Sequence, residues 1–114
     1  MAKHKIVTDT MFTLDAKTRW SHRNNEYYHE IEMIDSNTGK MHKTYVSEHN
    51  VNYDRWEKLM EYMSMYPDRT VCIEGKFKAV RDSDVLINAD SEFTIYESFD
   101  RDDFLHKVYE NFYA

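Results

Sequence analysis

The constraint that most limits this chain is its hydrophobic period, which runs at two, switches to 3.6 and then returns to two. Phe12, Leu14, Ala16, Thr18 and Trp20 alternate with Thr13, Asp15, Lys17 and Arg19, as in a long strand with one buried face. The polar cluster Ser21-His22-Arg23-Asn24-Asn25 then predicts a turn. In the next run Tyr27, His29, Ile31 and Met33 oppose Tyr28, Glu30, Glu32 and Ile34. Asp35-Ser36-Asn37-Thr38-Gly39 follows as a tight turn, with Gly39 suited to positive φ. Met41 to Ser47 is again rich in β-formers. The first 48 residues therefore read as an antiparallel three-strand meander.

Trp56, Leu59, Met60 and Met63 fall at i, i+3, i+4 and i+7, one stripe of a helix spanning roughly Tyr53 to Tyr66. Asp54 with Glu57 three residues on has capping-box spacing, with Asp54 at the cap, and Pro67 stops the helix. The stripe reads as a plug under the sheet, where Met fills irregular gaps. Strand alternation resumes with Val71, Ile73, Gly75, Phe77 and Ala79 on one side. Arg81-Asp82-Ser83-Asp84 is a polar turn. Val85, Ile87 and Ala89 open a fifth strand that Phe93 and Ile95 continue, with a bulge or bend expected at Asp90-Ser91. Phe104, Leu105, Val108, Tyr109 and Phe112 form a second helical stripe, with Ser98 or Asp100 as its cap.

With 114 residues, 41% hydrophobic, the chain has room for one core and not two. No long apolar run exists, so neither a spanning helix nor a secretory signal is expected. The single cysteine, Cys72, excludes an internal disulfide and fits a reducing, cytoplasmic setting. The net charge is −6 and unevenly spread. Residues 1–45 hold seven Lys/Arg against six Asp/Glu, whereas residues 46–114 hold eight against fifteen. This balance permits a neutral-to-basic face in the first half and an acidic second half.

Catalytic and metal chemistry find no support in the pattern. Asp82 and Asp84 are turn residues, Cys72 has no predicted histidine beside it, and the two glycines cannot form a phosphate loop. Of the six histidines, His29 and His42 are possible cross-strand neighbours, but no zinc-type Cys pairs or short His-x-His spacing accompanies them. The expectation is a non-enzyme with no cofactor and no metal.

The order of three strands, a helix, two strands and a terminal helix resembles the OB-fold, an all-β five-stranded Greek-key barrel. Asp35-Ser36-Asn37-Thr38-Gly39 is similar to the D-x-x-G hairpin of OB-fold nucleic-acid binders, with one extra residue. Val71-Cys72-Ile73-Glu74-Gly75-Lys76-Phe77 resembles the V-x-V-x-G-x-V strand of anticodon-type and single-strand-binding OB domains. Val85-Leu86-Ile87-Asn88-Ala89-Asp90-Ser91-Glu92-Phe93 is similar to their x-L-x-A-x-x-I ending. The resemblance covers roughly Ile6 to Tyr96. It implies a barrel over residues 1–98, with residues 99–114 forming an acidic, aromatic helix packed on the barrel or on a partner. The chain's size and its richness in Tyr, Met and Asp also resemble small bacteriophage proteins, which implies a host-cytoplasm setting.

The resemblance implies a binding face on the second and third strands, flanked by the loops after the first and fourth. Its expected ligand is single-stranded nucleic acid, DNA ahead of RNA, with no membrane partner. Such binding needs cations along phosphates and rings under bases. Lys17 and Arg19 share one side of the first strand. Lys76 and Lys78 share one side of the fourth, expected to lie beside the first, so that four cations converge. Lys43 adds a phosphate contact, and Arg23 and Arg81 clamp from the two loops. Tyr28 is expected to face outward and stack a base, and the turn register decides whether Tyr45 joins it. Trp20 continues the apolar side of its strand and is expected in the core, with ligand stacking the alternative. The competing class is a protein-interaction module that uses the acidic surface and the C-terminal helix, toward a partner or a second copy.

Overall fold

The structure is a computed structural model that describes residues 6–80, 83 and 85–113. Its elements in chain order are β1 (Ile6–Ser21), β2 (Glu26–Asp35), β3 (Met41–Ser47), α1 (Tyr53–Met65), β4 (Arg69–Lys78), β5 (Glu92–Asp100) and α2 (Arg101–Val108). A π-helical turn, Tyr109–Tyr113, ends the described chain. The antiparallel sheet has the order β3-β2-β1-β4-β5. Lys43 of β3 closes it, donating its backbone N–H to the Val85 carbonyl (2.9 Å) and accepting from the Ile87 N–H (2.7 Å) as a parallel bridge to Leu86. Order and parallel closure together make an OB-like barrel.

The fifth strand works in two halves, as its interrupted pattern predicts. Residues 85–87 touch β3 and the end of β4, and β5 proper pairs with β4 from Arg69 to Lys76. Between the halves, Ser91 is fully buried and its Oγ accepts the Lys78 N–H at 2.9 Å. Gly75 lies where β4 and β5 approach closely. A Cβ there would overlap the Glu92 carbonyl oxygen and sit 2.6 Å from the Phe93 Cα.

β1 is the longest strand, and its interior corrects the sequence reading. One extra residue sits in β1 between Thr13 and Asp15, which shifts the register against β2. A bulge of this kind reverses which parity faces inward. Before it, Met11 and Thr13 point into the core, and Thr13 Oγ1 donates to the Val71 carbonyl at 2.8 Å. After it, Ala16 packs against the core. Phe12, expected inside, therefore lies on the outer face. There it meets Phe99 at 5.5 Å and Phe104 of α2 at 4.3 Å between ring centroids.

The remaining interior follows the alternation. Ile31, Met33, Val46, Val71, Ile73 and Phe77 line the barrel. α1 plugs it with Trp56 and Leu59, both fully buried. Trp56 Nε1 donates to the Ala89 carbonyl at 2.9 Å, so the large ring enters with its polar atom satisfied. The expected cap at Asp54 is not formed. Asn52 occupies the cap position without a capping side-chain bond, and its amide instead donates to the Ala89 carbonyl at 3.3 Å. Helix α2 is capped by Asp100, whose Oδ1 accepts the Asp103 N–H at 3.0 Å. No helix among the described residues is long and apolar enough to cross a membrane.

Candidate nucleic-acid interface

The outer face of β1, β2 and β3 is a lattice that the strand registers fix row by row. Arg19, Tyr28 and Ser47 form one row, Lys17, Glu30 and Tyr45 the next, then Asp15, Glu32 and Lys43, then Phe12, Ile34 and Met41. Alternation along each strand puts all of these on the same side. Tyr28 thus faces outward, as predicted, and Tyr45 joins it. Their rings lie 6.0 Å apart and edge-to-face, with Tyr45 44% exposed.

The lattice alternates in charge as well as in shape. Arg19 Nε lies 3.3 Å from Glu30, Lys43 Nζ 3.4 Å from Glu32 and Lys17 Nζ 3.5 Å from Asp15. The Glu32 carboxylate, followed by the field of Tyr45 and Glu30, raises the Lys43 pKa above its ordinary value, so the ammonium stays charged. The cation of each pair is 39–54% exposed, so solvent screens the attraction and each pair contributes little. They are weak enough to open when an anion offers a better partner.

Tyr28 and Tyr45 also wall an open groove of about 380 Å³ at the hairpin end of this face, completed by Ser21, Asn24, Glu26 and Ser47. Ser47 Oγ donates to Glu26 Oε2 at 2.8 Å, and the exposed His49 ring lies 3.6 Å from the same oxygen. In the turn, the Asn24 N–H donates to Ser21 Oγ at 3.1 Å and Asn25 takes a left-handed φ of 53°, which tightens the hairpin.

The predicted site divides. Lys17, Arg19, Tyr28, Lys43 and Tyr45 share the lattice, and Arg23 is exposed in the adjoining turn. Lys76 and Lys78 do not converge with them. They pair with Thr8 and Ile6, and Lys17 lies nine residue steps along β1 from Thr8, roughly 30 Å of strand. β1 touches β4 along its first part and β2 along the rest, so cations at its two ends cannot share a groove. Lys76 instead lines a separate depression with Arg55, Glu74 and Glu92. Arg81 lies outside the described residues.

Two further expectations change. Trp20, expected in the core, is 40% exposed and packs edge-to-face on Tyr27 at 4.7 Å. It keeps the inward parity, but β3 begins its pairing with β2 only at Tyr28, so among the described residues β3 does not flank the two-stranded tip beyond. His29 and His42 are not cross-strand neighbours, since His29 pairs with Val46 and His42 with Met33. His29 stacks on Tyr53 at 4.3 Å, and burial lowers its pKa. Among the described residues, no cluster of His, Cys, Asp or Glu is arranged to hold a metal ion.

Sequence reasoning singled out Tyr28 and Tyr45 and passed over Glu26, Ser21, Asn24 and Ser47. The parity that turns Tyr28 outward also turns Glu26 outward, two residues earlier on β2, so that signal was present in the pattern. The chain matches no family model, no curated protein and no solved structure.

Proposed function

We propose that the outer face of β1, β2 and β3 binds single-stranded nucleic acid, without catalysis. The observation that carries this reading is the Tyr28–Tyr45 pair, a half-buried ring beside an exposed one on an outer face that also bears Lys17, Arg19 and Lys43. Base stacking on such rings contributes about 1–3 kcal/mol per base and tolerates any sequence. The cations supply phosphate contacts by exchanging their weak carboxylate partners for the backbone. That exchange, and a net charge of −6, make the affinity moderate and sensitive to salt.

A titration with a fluorescent single-stranded oligonucleotide at two salt concentrations tests the reading. Four cations, Lys17, Arg19, Arg23 and Lys43, set a log–log salt slope no steeper than about −3 for a single strand. No binding at about 50 mM salt with about 100 μM protein would overturn the proposal, since groove binders of this kind are tighter.

A second reading, a protein-interaction module, draws on a different observation. Of the α2 stripe only Phe104 is buried, while Leu105 and Tyr109 remain 39% and 59% exposed beside Asp102 and Glu110. A second copy of the chain docking there would give a concentration-dependent dimer in sedimentation equilibrium that Leu105→Asp abolishes. A monomer at every concentration would remove the homodimer.

A further inference from the structure

We infer that the groove beside Tyr28 and Tyr45 reads the edge of one base, with Glu26 as the specificity-determining residue and guanine as the preferred base. This inference rests on the single-strand reading above and names what that face selects.

Glu26 poses the problem that the inference answers. A carboxylate in a groove meant for a polyanion is repulsive toward phosphate, and the first-half cations already have Asp15, Glu30 and Glu32 as partners. Glu26 pairs with no Lys or Arg among the described residues. It is held in place from one side, where Ser47 Oγ donates to Oε2 and His49 approaches the same atom. Its other oxygen, Oε1, accepts no hydrogen bond from the described residues. The carboxylate is therefore held through Oε2 and keeps acceptor capacity at Oε1, on a side chain that lines the groove.

The groove offers a ring surface on one side and a polar edge on the other. Tyr28 and Tyr45 present faces and edges for stacking, and Ser21, Asn24 and Glu26 line the remainder. In single strands, bases stacked on aromatic side chains are read along their Watson–Crick edges. A carboxylate accepts and never donates, so it selects an edge rich in N–H groups. Guanine places two donors side by side there, N1–H and the N2 amino group. Cytosine and adenine present one amino group each. Thymine and uracil present a lone N3–H between two carbonyl oxygens, which a carboxylate repels. The expected order is guanine first, then cytosine and adenine, then thymine.

The test compares oligo-dT with the same oligonucleotide carrying one central dG, each titrated against the wild-type chain and Glu26→Gln. The wild type should bind the dG-containing strand about tenfold more tightly, the discrimination typical of a two-bond contact to a base edge. Glu26→Gln should bring that ratio to about one, because an amide replaces half the acceptor capacity with a donor. Equal wild-type affinity for both strands overturns the inference and leaves single-strand binding standing. A dG preference that survives in Glu26→Gln removes Glu26 from the reading. Absence of binding to either strand overturns the single-strand reading itself, and the inference with it.

Discussion

The two ends of the outer face are built from the same strands, yet one is covered and the other is open. At one end Phe12, Ile34 and Cys72 sit in register on β1, β2 and β4, with Ile34 and Cys72 buried although they point away from the barrel. Phe104 of α2 covers Phe12, and farther along the chain the Phe112 ring lies against Gly39 while Tyr113 Oη donates to the Gly39 carbonyl at 2.6 Å. At the other end Tyr45 and Arg19 are exposed and Tyr28 and Glu26 half-buried, and the described part of the terminal segment makes its ring contacts at the first end instead. Apolar side chains on an outer face require a cover, and the terminal segment supplies it at one end only. Rings left open on the same face call for a different explanation, and a ligand that stacks is the one their chemistry favours.

Substitutions at the two ends should therefore separate stability from binding. The largest effect on binding is expected at the open end. Tyr28→Ala with Tyr45→Ala should weaken oligonucleotide binding by at least about thirtyfold, from about 1 kcal/mol or more per lost stacking ring. The melting temperature should move little, because both rings lie on the outer face, outside the buried core. At the covered end, Phe104→Ala should lose about 3 kcal/mol of folding stability and lower the melting temperature by roughly 10 °C, with oligonucleotide affinity retained. Thermal melts and titrations on the same samples check both. If Phe104→Ala weakens binding as much as the tyrosine pair does, the two ends are one functional surface and the contrast fails.

Gly39 sharpens the contrast from within the covered end. It takes a left-handed φ of 70° in the β2–β3 turn, where a Cβ would lie 2.7 Å from the Phe112 Cβ. Gly39→Ala should cost about 2 kcal/mol, part from backbone strain and part from displacing the Phe112 ring. Denaturant unfolding measures the loss. Added loss of protection in residues 104–113, followed by hydrogen exchange, would show that the terminal segment docks through this glycine. Unchanged exchange there would confine the effect to the turn.

How far the sequence reached depends on what period two can encode. Alternation located β1 to β4 and the start of β5, because a half-buried strand must alternate whatever its neighbours are, and the switch to a 3.6 period located the helix between β3 and β4. It also turned Tyr28 outward. It misplaced Phe12 because a one-residue bulge leaves no mark when Leu14, Ala16 and Trp20 continue an apolar-looking run on the same parity as Phe12. It misplaced Trp20 because parity gives direction and not coverage, and the hairpin tip extends past the last β3 pair. Lys76 and Lys78 were drawn toward Lys17 and Arg19 because β1 is a neighbour of both β2 and β4. Which part of a long strand touches which neighbour is a property of register, and register is set by turns and bulges more than by composition.

The smallest effect expected concerns acid, and it again distinguishes the two ends. The covered end is held by phenyl rings that do not titrate. Under the open end, the inner face is held by His29, which stacks on Tyr53 of α1 and shares a 2.9 Å hydrogen bond between Nδ1 and Thr18 Oγ1. Burial lowers the His29 pKa below its ordinary value of 6.5, opposed by the nearby Glu57 carboxylate. The unfolded chain therefore binds a proton at higher pH than the folded one, so stability is full above pH 6.5 and falls as pH drops from there toward the lowered pKa. A His29→Asn variant should flatten this part of the stability–pH curve, whereas Phe104→Ala should lower the whole curve and keep its slope. Hydrogen exchange at pH 5.5 should show β1 and β2 loosening around Thr18 and His29 before the Phe12–Phe104 contact does. Uniform loosening of both ends would mean that His29 stabilises the barrel as a whole, and the open end would then owe its exposure to the uncovered tip alone.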